Sequence, residues 1–368
     1  MNWFGRKAAQ GSARPALSRV YGAWSAPAPL SFEAQLREGY LANPIVQRSV
    51  RLVAEAVGSA PVEASDAGLA ALVAATSGGQ GLVETLASQL LLHGNGYVQI
   101  LADGAGAPAE LFALRPERVT VEADSRGWPV AYRYSAGGSG VTLPAEHGAG
   151  RTAVVHVKAL HPLDDHYGAG CLGAAAAAIA AHNAATKWNA ALLANAARPS
   201  GALVHDPGDK GVPLSAEQVE RLREELAEGF AGGANAGRPL LLEGGLKWQA
   251  LSLSPAEMDF LELKHSAARE IAMAFGVPPM LLGLPGDATY ANYREANRAL
   301  WRLTVLPLAA KILGAIAQGL RGWFPGAALG VDLNKVPALV EERMALWREV
   351  SAADWLTADE KKAMLGVG

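Results

Sequence analysis

Residues 254–320 read SPAEMDFLELKHSAAREIAMAFGVPPMLLGLPGDATYANYREANRALWRLTVLPLAAKILGAIAQGL. They specify two long helices joined by a Gly/Pro-rich connection, and they hold no evident catalytic constellation. Ser254 precedes Pro255 and lies three residues before Glu257, so the serine caps, the proline takes the first turn and the carboxylate reaches back. Met258, Leu261, His265, Ala268, Ala272 and Phe275 recur at alternating spacings of three and four, and Phe260, Ala267, Ile271 and Ala274 widen that apolar face. Gly276-Val277-Pro278-Pro279 stops the helix, because glycine tolerates the terminal left-handed turn and the prolines cannot continue the ladder. Asn292 and Glu295 are the expected capping pair of the second helix. That helix should run to about Leu320, roughly 43 Å at 1.5 Å per residue, with a kink near Pro307. The connection is 284–291.

Upstream, 43–160 mixes helix and strand. Helical periodicity covers 44–57 and part of 69–92, and short strands are expected at 97–101, 110–112, 119–122, 131–134 and 153–157, divided by Gly-rich turns. This is an α+β region. Gly94-Asn95-Gly96 reads as a strand-entry or hairpin turn rather than an anion-binding nest. From 174 to 197 the chain is mostly alanine with Lys187 its only charged residue, which specifies a helix of roughly 36 Å. His182, Asn183, Lys187, Asn189 and Asn195 interrupt it too often for a membrane span. Its small side chains instead permit close approach of neighbouring helices.

Between the two rods, 198–253 reads as strand, helix, strand, strand. Ser215 and Gln218 form a capping box for a helix over 219–230, 232–237 is a loop, and 240–242 and 246–251 are extended. The tail continues as a strand at 331–333, a helix over about 336–350, and a last helix capped by Thr357 and Glu360.

Two motifs suggest chemistry. Gly168-Ala169-Gly170-Cys171-Leu172-Gly173 is a literal G-x-G-x-x-G, the basis for the alternative of a nucleotide-binding α/β enzyme using Gly168, Gly170 and Gly173. A dinucleotide site requires the glycines directly after a strand and an acidic residue about 20 positions on. Here the strand ends eight or more residues earlier, and no Asp or Glu occurs from 167 to 205. No Walker A sequence is present either. His156, His161, Asp164, Asp165 and His166 offer metal ligands, but across a strand-to-helix segment expected to be a solvated loop, so no metal and no cofactor is expected. Glu224-Glu225 and Glu341-Glu342 fall on helical patterns and read as exposed faces.

The 368 residues, 50% apolar and 18% charged, suit a folded chain with two or three cores. A net charge of −3 argues against wrapping nucleic acid through a broadly basic surface. The single cysteine, Cys171, rules out an intrachain disulfide and suits a reducing compartment such as a bacterial cytoplasm. Residues 1–40 carry Arg6, Lys7, Arg14 and Arg19 without an apolar run long enough for a signal peptide, and read as a flexible arm.

Several segments, in order, resemble the portal proteins of HK97-type tailed bacteriophages. They are Asn43-Pro44 with 50–61, then 90–98 (LLLHGNGYV), 114–119 (LRPERV), 167–172 (YGAGCL), 197–201 (ARPSG), 275–279 with Leu282-Gly283, and 289–292 (TYAN). The resemblance covers about 40–365 and implies a portal-type α+β fold that assembles as a ring. Its parts would be a wing over 41–172, a first stem helix over 173–198, a small α/β clip over 199–253 and a second stem helix over 254–276. A tunnel loop with a long kinked helix returning to the wing would occupy 277–321, and a short crown 322–368. It further implies a non-enzymatic dodecameric ring at one capsid vertex, beside the major capsid protein, assembled in a bacterial host and carried in the virion. Double-stranded DNA would pass through it without sequence specificity, with no membrane involved. A large terminase ATPase and then a head-tail adaptor would dock on the clip, through Glu217, Glu220, Arg221, Arg223 and Glu224. Leu284, Gly286, Asp287, Thr289 and Tyr290 would face the channel, with Gly283 and Gly286 allowing movement. Lys187, Trp188, Met258, Leu261 and Phe275 would pack the stem. A reduced crown and an Ala-rich chain leave open the portal of a gene transfer agent particle, and a different ring-forming head-tail adaptor is a further alternative.

Overall fold

The computed structural model describes residues 17, 31–147, 151–194, 201–205, 215–230, 246–250, 260–285 and 289–365. Most of residues 1–30 lie outside these, as do the cap at 254–257, Met258, the loop 232–237, the strand expected at 240–242, and Gly286 and Asp287 of the connection.

The chain enters through α1 (Phe32–Leu36), which a π-helical turn at Arg37–Leu41 extends, and continues into α2 (Pro44–Gly58). Asn43 caps α2, its Oδ1 accepting from the backbone N–H groups of Ile45 and Val46 at 3.0 and 3.2 Å, with Pro44 in the first turn. Val46, Val50, Val53, Ala54 and Val57 form one buried stripe. Strand β1 (Val62–Ala64) and α3 (Ala67–Ala74) follow, then the short hairpin β2 (Thr76–Ser77) and β3 (Gln80–Gly81), then α4 (Leu82–Leu92). The single helix expected within 69–92 is thus two, separated at the Gly78-Gly79 turn, where both residues take positive φ.

Strands β4 (Asn95–Ala102) and β5 (Pro108–Leu114) pair in the order β11-β4-β5 with β11 (Val154–Lys158), all antiparallel, with Val155 opposite Val98 and Val98 opposite Ala113. A second sheet holds β6 (Val119–Ala123), β7 (Pro129–Ala136) and β8 (Ser139–Pro144). The last of these, with Val141-Thr142 as its only β-branched residues, lies outside the strands expected above. Short β9 (Glu146–His147) and β10 (Arg151–Thr152) complete the region. Leu17 donates its N–H to Arg126 O at 2.9 Å across the β6–β7 turn, so the arm touches the sheet at that point.

Helix α5 (Cys171–Ala194) leaves this body and α7 (Phe260–Ala274) returns packed against it. Between them lie β12 (Gly201–His205), α6 (Ala216–Phe230) and β13 (Leu246–Ala250), with β12 and β13 antiparallel from Gly201–Ala250 to His205–Leu246. The Ser215 box forms as expected: Ser215 Oγ accepts from Gln218 N at 3.2 Å, and Gln218 Oε1 accepts from Ser215 N at 2.9 Å.

Helices α8 (Tyr290–Leu300) and α9 (Leu306–Leu320) are one rod joined by a π-helical turn at Trp301–Val305. The kink expected near Pro307 takes this form because proline lacks the N–H for the regular ladder, and the turn before it widens so that Leu306 N–H reaches Trp301 O. The rod is long and apolar enough to cross a membrane by length and composition alone. In the fold its apolarity points inward: Ala309, Ile312, Leu313, Ile316, Ala317 and Leu320 are buried against α2, α4 and β11. Strand β14 (Leu329–Val331) then pairs with β1, Val331 opposite Val62, which ties the end of the chain to its beginning. Helices α10 (Val340–Ala352) and α11 (Ala358–Leu365) finish it, the latter behind the expected Thr357–Glu360 box.

Replacing Ile312, which is fully buried, by Ala should cost about 3 kcal/mol of unfolding free energy in urea titration, whereas Ala at exposed Leu303 should change it by less than about 1 kcal/mol.

Candidate functional site: the mounting of the helix pair and its inner loop

The glycines of the apparent nucleotide motif are packing residues. A Cβ on Gly168 would lie 2.1 Å from Gly94 O, one on Gly170 2.4 Å from Leu92 O, and one on Gly94 2.4 Å from the carbonyl carbon of Ala169. With Ala159, whose N and O would lie 2.8 Å from a Gly168 Cβ, three backbone segments therefore touch where only glycine fits. Gly173 has nothing within 4 Å and takes no part.

Asn95 locks this contact. It is fully buried, its Oδ1 accepts from Gly168 N–H at 2.7 Å and from His156 Nε2–H at 3.0 Å, and its amide donates to His93 Nδ1 at 3.0 Å and to Gly168 O at 3.3 Å. Accepting on Nδ1 requires His93 to be neutral, whereas His156 can donate from Nε2 in either state. Burial lowers the pKa of His93, and burial, then the charges of Lys158, His93 and His166, brings His156 down to about 3. His156 also stacks on Tyr97 with ring centroids 4.2 Å apart. The expectation of a solvated histidine-rich loop is thus corrected for two residues: His156 is a core strand residue, and buried His166 donates from Nε2 to Gly127 O at 2.6 Å. Asp164 Oδ1 closes the turn by accepting from His166 and Tyr167 N–H at 2.7 and 3.0 Å. Each of these groups is engaged in holding the loop.

A second asparagine holds α5 further along. Beyond capping α2, Asn43 donates to buried His182 Nδ1 at 3.2 Å and to Asn183 Oδ1 at 2.9 Å, and Asn183 donates to Glu38 O at 2.8 Å. Burial, then the charge of Lys264, lowers the His182 pKa and keeps it an acceptor. The polar residues read as interruptions of an alanine helix are its attachment points. Their sequence signals were an Asn before Pro44 and paired His-Asn in a charge-poor run.

Past residue 185 no resolved side chain of α5 is buried. Lys187 is exposed, Trp188 is 43% exposed, and on α7 Leu261 is 65% exposed. These expected stem residues lie on the outer surface of the pair. Phe275 does not: it is buried in the main core, because the foot of α7 plugs into the body beside α2.

The connection begins under constraint. Gly276, at φ 66°, ends α7, and Thr304 Oγ1 donates to its carbonyl at 2.7 Å. Gly283, at φ 72°, closes the 3-10 turn Pro279–Leu282, so its freedom is spent on that turn rather than on motion. Arg269 donates to Pro285 O at 2.7 Å, and Leu284 is half-buried. The far side is capped by Thr289, whose Oγ1 accepts from Asn292 N–H at 3.2 Å, so the cap expected at Asn292 falls three residues earlier. Tyr290 is 79% exposed. A cavity of about 470 Å³, lined by Arg269, Met273, Pro278, Pro279, Ala299 and Leu303, opens where α7 meets α8. Glu217, Glu220, Arg221, Arg223 and Glu224 are exposed on α6, with Arg223 and Glu220 paired at 3.2 Å.

The fold and this arrangement can now be set beside known proteins. The family model described as phage portal protein matches residues 44–366. The chain belongs to the phage portal protein family. It is 39% identical over 347 residues to an uncharacterized protein of Rickettsia felis, covering 90% of this chain and 88% of that one. Its structure is similar to a chain from the neck of a native gene transfer agent particle computed with C12 symmetry, at 45% identity and TM-score 0.72, covering 96% of each chain. An HK97 family portal protein from Corynebacterium diphtheriae, 18% identical, shares the fold at TM-score 0.60 over 86% of this chain and 98% of that one. The expected portal-type α+β fold is the one observed, and family membership displaces both the nucleotide-binding and the separate-adaptor alternatives.

Gly168→Ala should cost about 3 kcal/mol or more, or prevent folding, while Gly173→Ala should be neutral or stabilise by up to about 1 kcal/mol; thermal melts of the two portal variants separate packing glycines from cofactor glycines. The pH dependence has a definite sign. His156 is depressed in the folded state, so its full contribution is present above about pH 6.5, the ordinary value. It is lost as pH falls towards 3, at up to ~1.4 kcal/mol per unit. His156→Gln should reduce that slope by about one proton in denaturant titrations between about pH 6 and 4.

Proposed function

We propose that twelve copies of this chain form a ring at one capsid vertex, through which double-stranded DNA is packaged and released. The observation that carries this reading is the distal half of the helix pair. A pair of helices projecting from a well-packed body, with Trp188, Leu261 and Leu263 exposed on a mostly small-residue rod, leaves apolar surface that a neighbouring copy would cover. Exposed Met273 and Leu303 at the mouth of the α7–α8 cavity add a second such surface at the foot of the pair. Cyclic assembly uses two different faces of each copy, which fits apolar surface at both levels.

In this reading the body over 41–172 is the wing, α5 and α7 are the stem, and 199–253 is the clip. The connection of Leu284, Gly286, Asp287, Thr289 and Tyr290 is the tunnel loop, and 322–368 is a short crown. The ring itself performs no chemistry. It presents the exposed charges of α6 to a large terminase ATPase during packaging and to a head-tail adaptor afterwards, while the wing meets the major capsid protein. A net charge of −3 suits a bore that DNA slides through rather than grips. The assembly takes place in the cytoplasm of a bacterial host, and the product is a virion or a gene transfer agent particle.

Electron microscopy of the purified chain should show rings with a central hole, and their symmetry gives the copy number. Trp188→Ala with Leu261→Ala should weaken ring formation while leaving the monomer's unfolding midpoint unchanged; a monomeric wild-type chain at all concentrations would refute the ring. Asp287→Lys should impair DNA packaging with ring assembly intact.

A further inference from the structure

On α8 and the π-helical turn that follows it, Arg294, Arg298 and Arg302 stand four residues apart, each step rising about 6 Å along the rod. They are met by carboxylates from elsewhere. Glu341 reaches Arg294 and, at 2.9 Å, Arg298; Glu342 reaches Arg302 and, at 3.4 Å, Arg298 Nε; Glu295 adds a contact to Arg298 at 2.7 Å. Three guanidinium groups are thus balanced by three carboxylates. The two glutamates sit in the first turn of α10, directly after the buried residues Val336 and Leu339, so the ion pairs add to an apolar anchor where this helix meets the rod.

Arg298 is 16% exposed, but Arg294 and Arg302 keep much of their surface, and the strip continues with exposed Tyr293 and Tyr290, the latter's ring 5.8 Å from the Arg294 guanidinium. Arginine interleaved with exposed tyrosine is the composition of a surface that meets a nucleic-acid backbone. The strip begins one residue after Thr289, at the end of the connection assigned above to the tunnel loop.

We propose that this strip is a phosphate-facing surface of the channel whose positive charge is cancelled within the same chain by Glu341 and Glu342. The inference rests on the portal reading and deepens it. Guanidinium groups that could bind phosphate are held in ion pairs, so the duplex meets aromatic and hydrogen-bonding surface with little net attraction. The N-terminus of α10 supplies the screen.

The test compares rings of wild-type chain with Glu341→Gln/Glu342→Gln, using anisotropy of a short fluorescent duplex over a range of salt. The double variant should bind about tenfold more tightly at low salt, and its log–log salt slope should steepen by one to two phosphate contacts, about 0.9 each. Glu341→Gln alone, which leaves Glu342 on Arg298 and Arg302, should give a smaller part of that change and guards against loss of α10 in the double variant. Adding Arg294→Gln/Arg302→Gln should abolish the gain. Glu63→Gln/Glu84→Gln, both exposed on the body and assigned no role above, removes the same charge elsewhere and should leave the slope unchanged. Equal gains from that control, or rings of both Glu341 variants that bind no more tightly than wild type, would overturn the proposal. Failure of the wild-type chain to form rings would instead overturn the portal reading.

Discussion

The fold depends on one buried contact, the meeting of Gly94, Gly168 and Gly170 around the side chain of Asn95. Backbone segments that approach this closely leave peptide groups shut off from water, so an unpaired group there would be costly. Asn95 satisfies them from within, and two neutral histidines complete its own valences. The contact joins the end of α4, the start of β4 and the residues just before α5. It therefore sets where, and at what angle, the long helix leaves the body of the chain.

Asn43 repeats the device about 14 residues further along, roughly 21 Å on an α-helix. Two clamps define a direction, whereas one alone would permit a swivel. Between and below them the apolar stripes of α2, α5, α7 and α9 close a single core, and Phe275 at the foot of α7 belongs to it. Above the second clamp, among the described residues, α5 past residue 185 buries no side chain. The molecule thus divides into a part that buries its own apolar surface and a part that leaves it for another copy. In a ring-forming portal this division separates folding from assembly.

Charge follows a comparable division. Glu341 and Glu342 read in the sequence as a solvated face, because an acidic pair in a helix near the end of the chain has no visible partner. In the structure they meet arginines some forty residues earlier. The spacing of Arg294, Arg298 and Arg302 was a legible sign of one helical face, but nothing local named the opposing carboxylates. The Thr289 cap was missed for a related reason: Asn292 and Glu295 form an equally good local pattern, and the helix simply begins earlier. The extra strand β8 and the pairing of β1 with β14 were likewise invisible, since a short, exposed strand and a three-residue ladder carry almost no periodicity.

What the sequence determined by itself was local or compositional: the capping boxes at Ser215 and Thr357, the Gly276-Val-Pro-Pro stop, the alanine rod with its lone lysine, and an ordered set of segments that already resembled the portal family. These survive because a cap, a breaker or a periodic face is decided by residues within one or two turns. The tertiary structure decided what the glycines at 168 and 170 are for, why histidines sit in an alanine helix, and which charges cancel. Each of those depends on a partner forty or more residues away, brought close only when the core shuts, and no spacing along the chain can specify it.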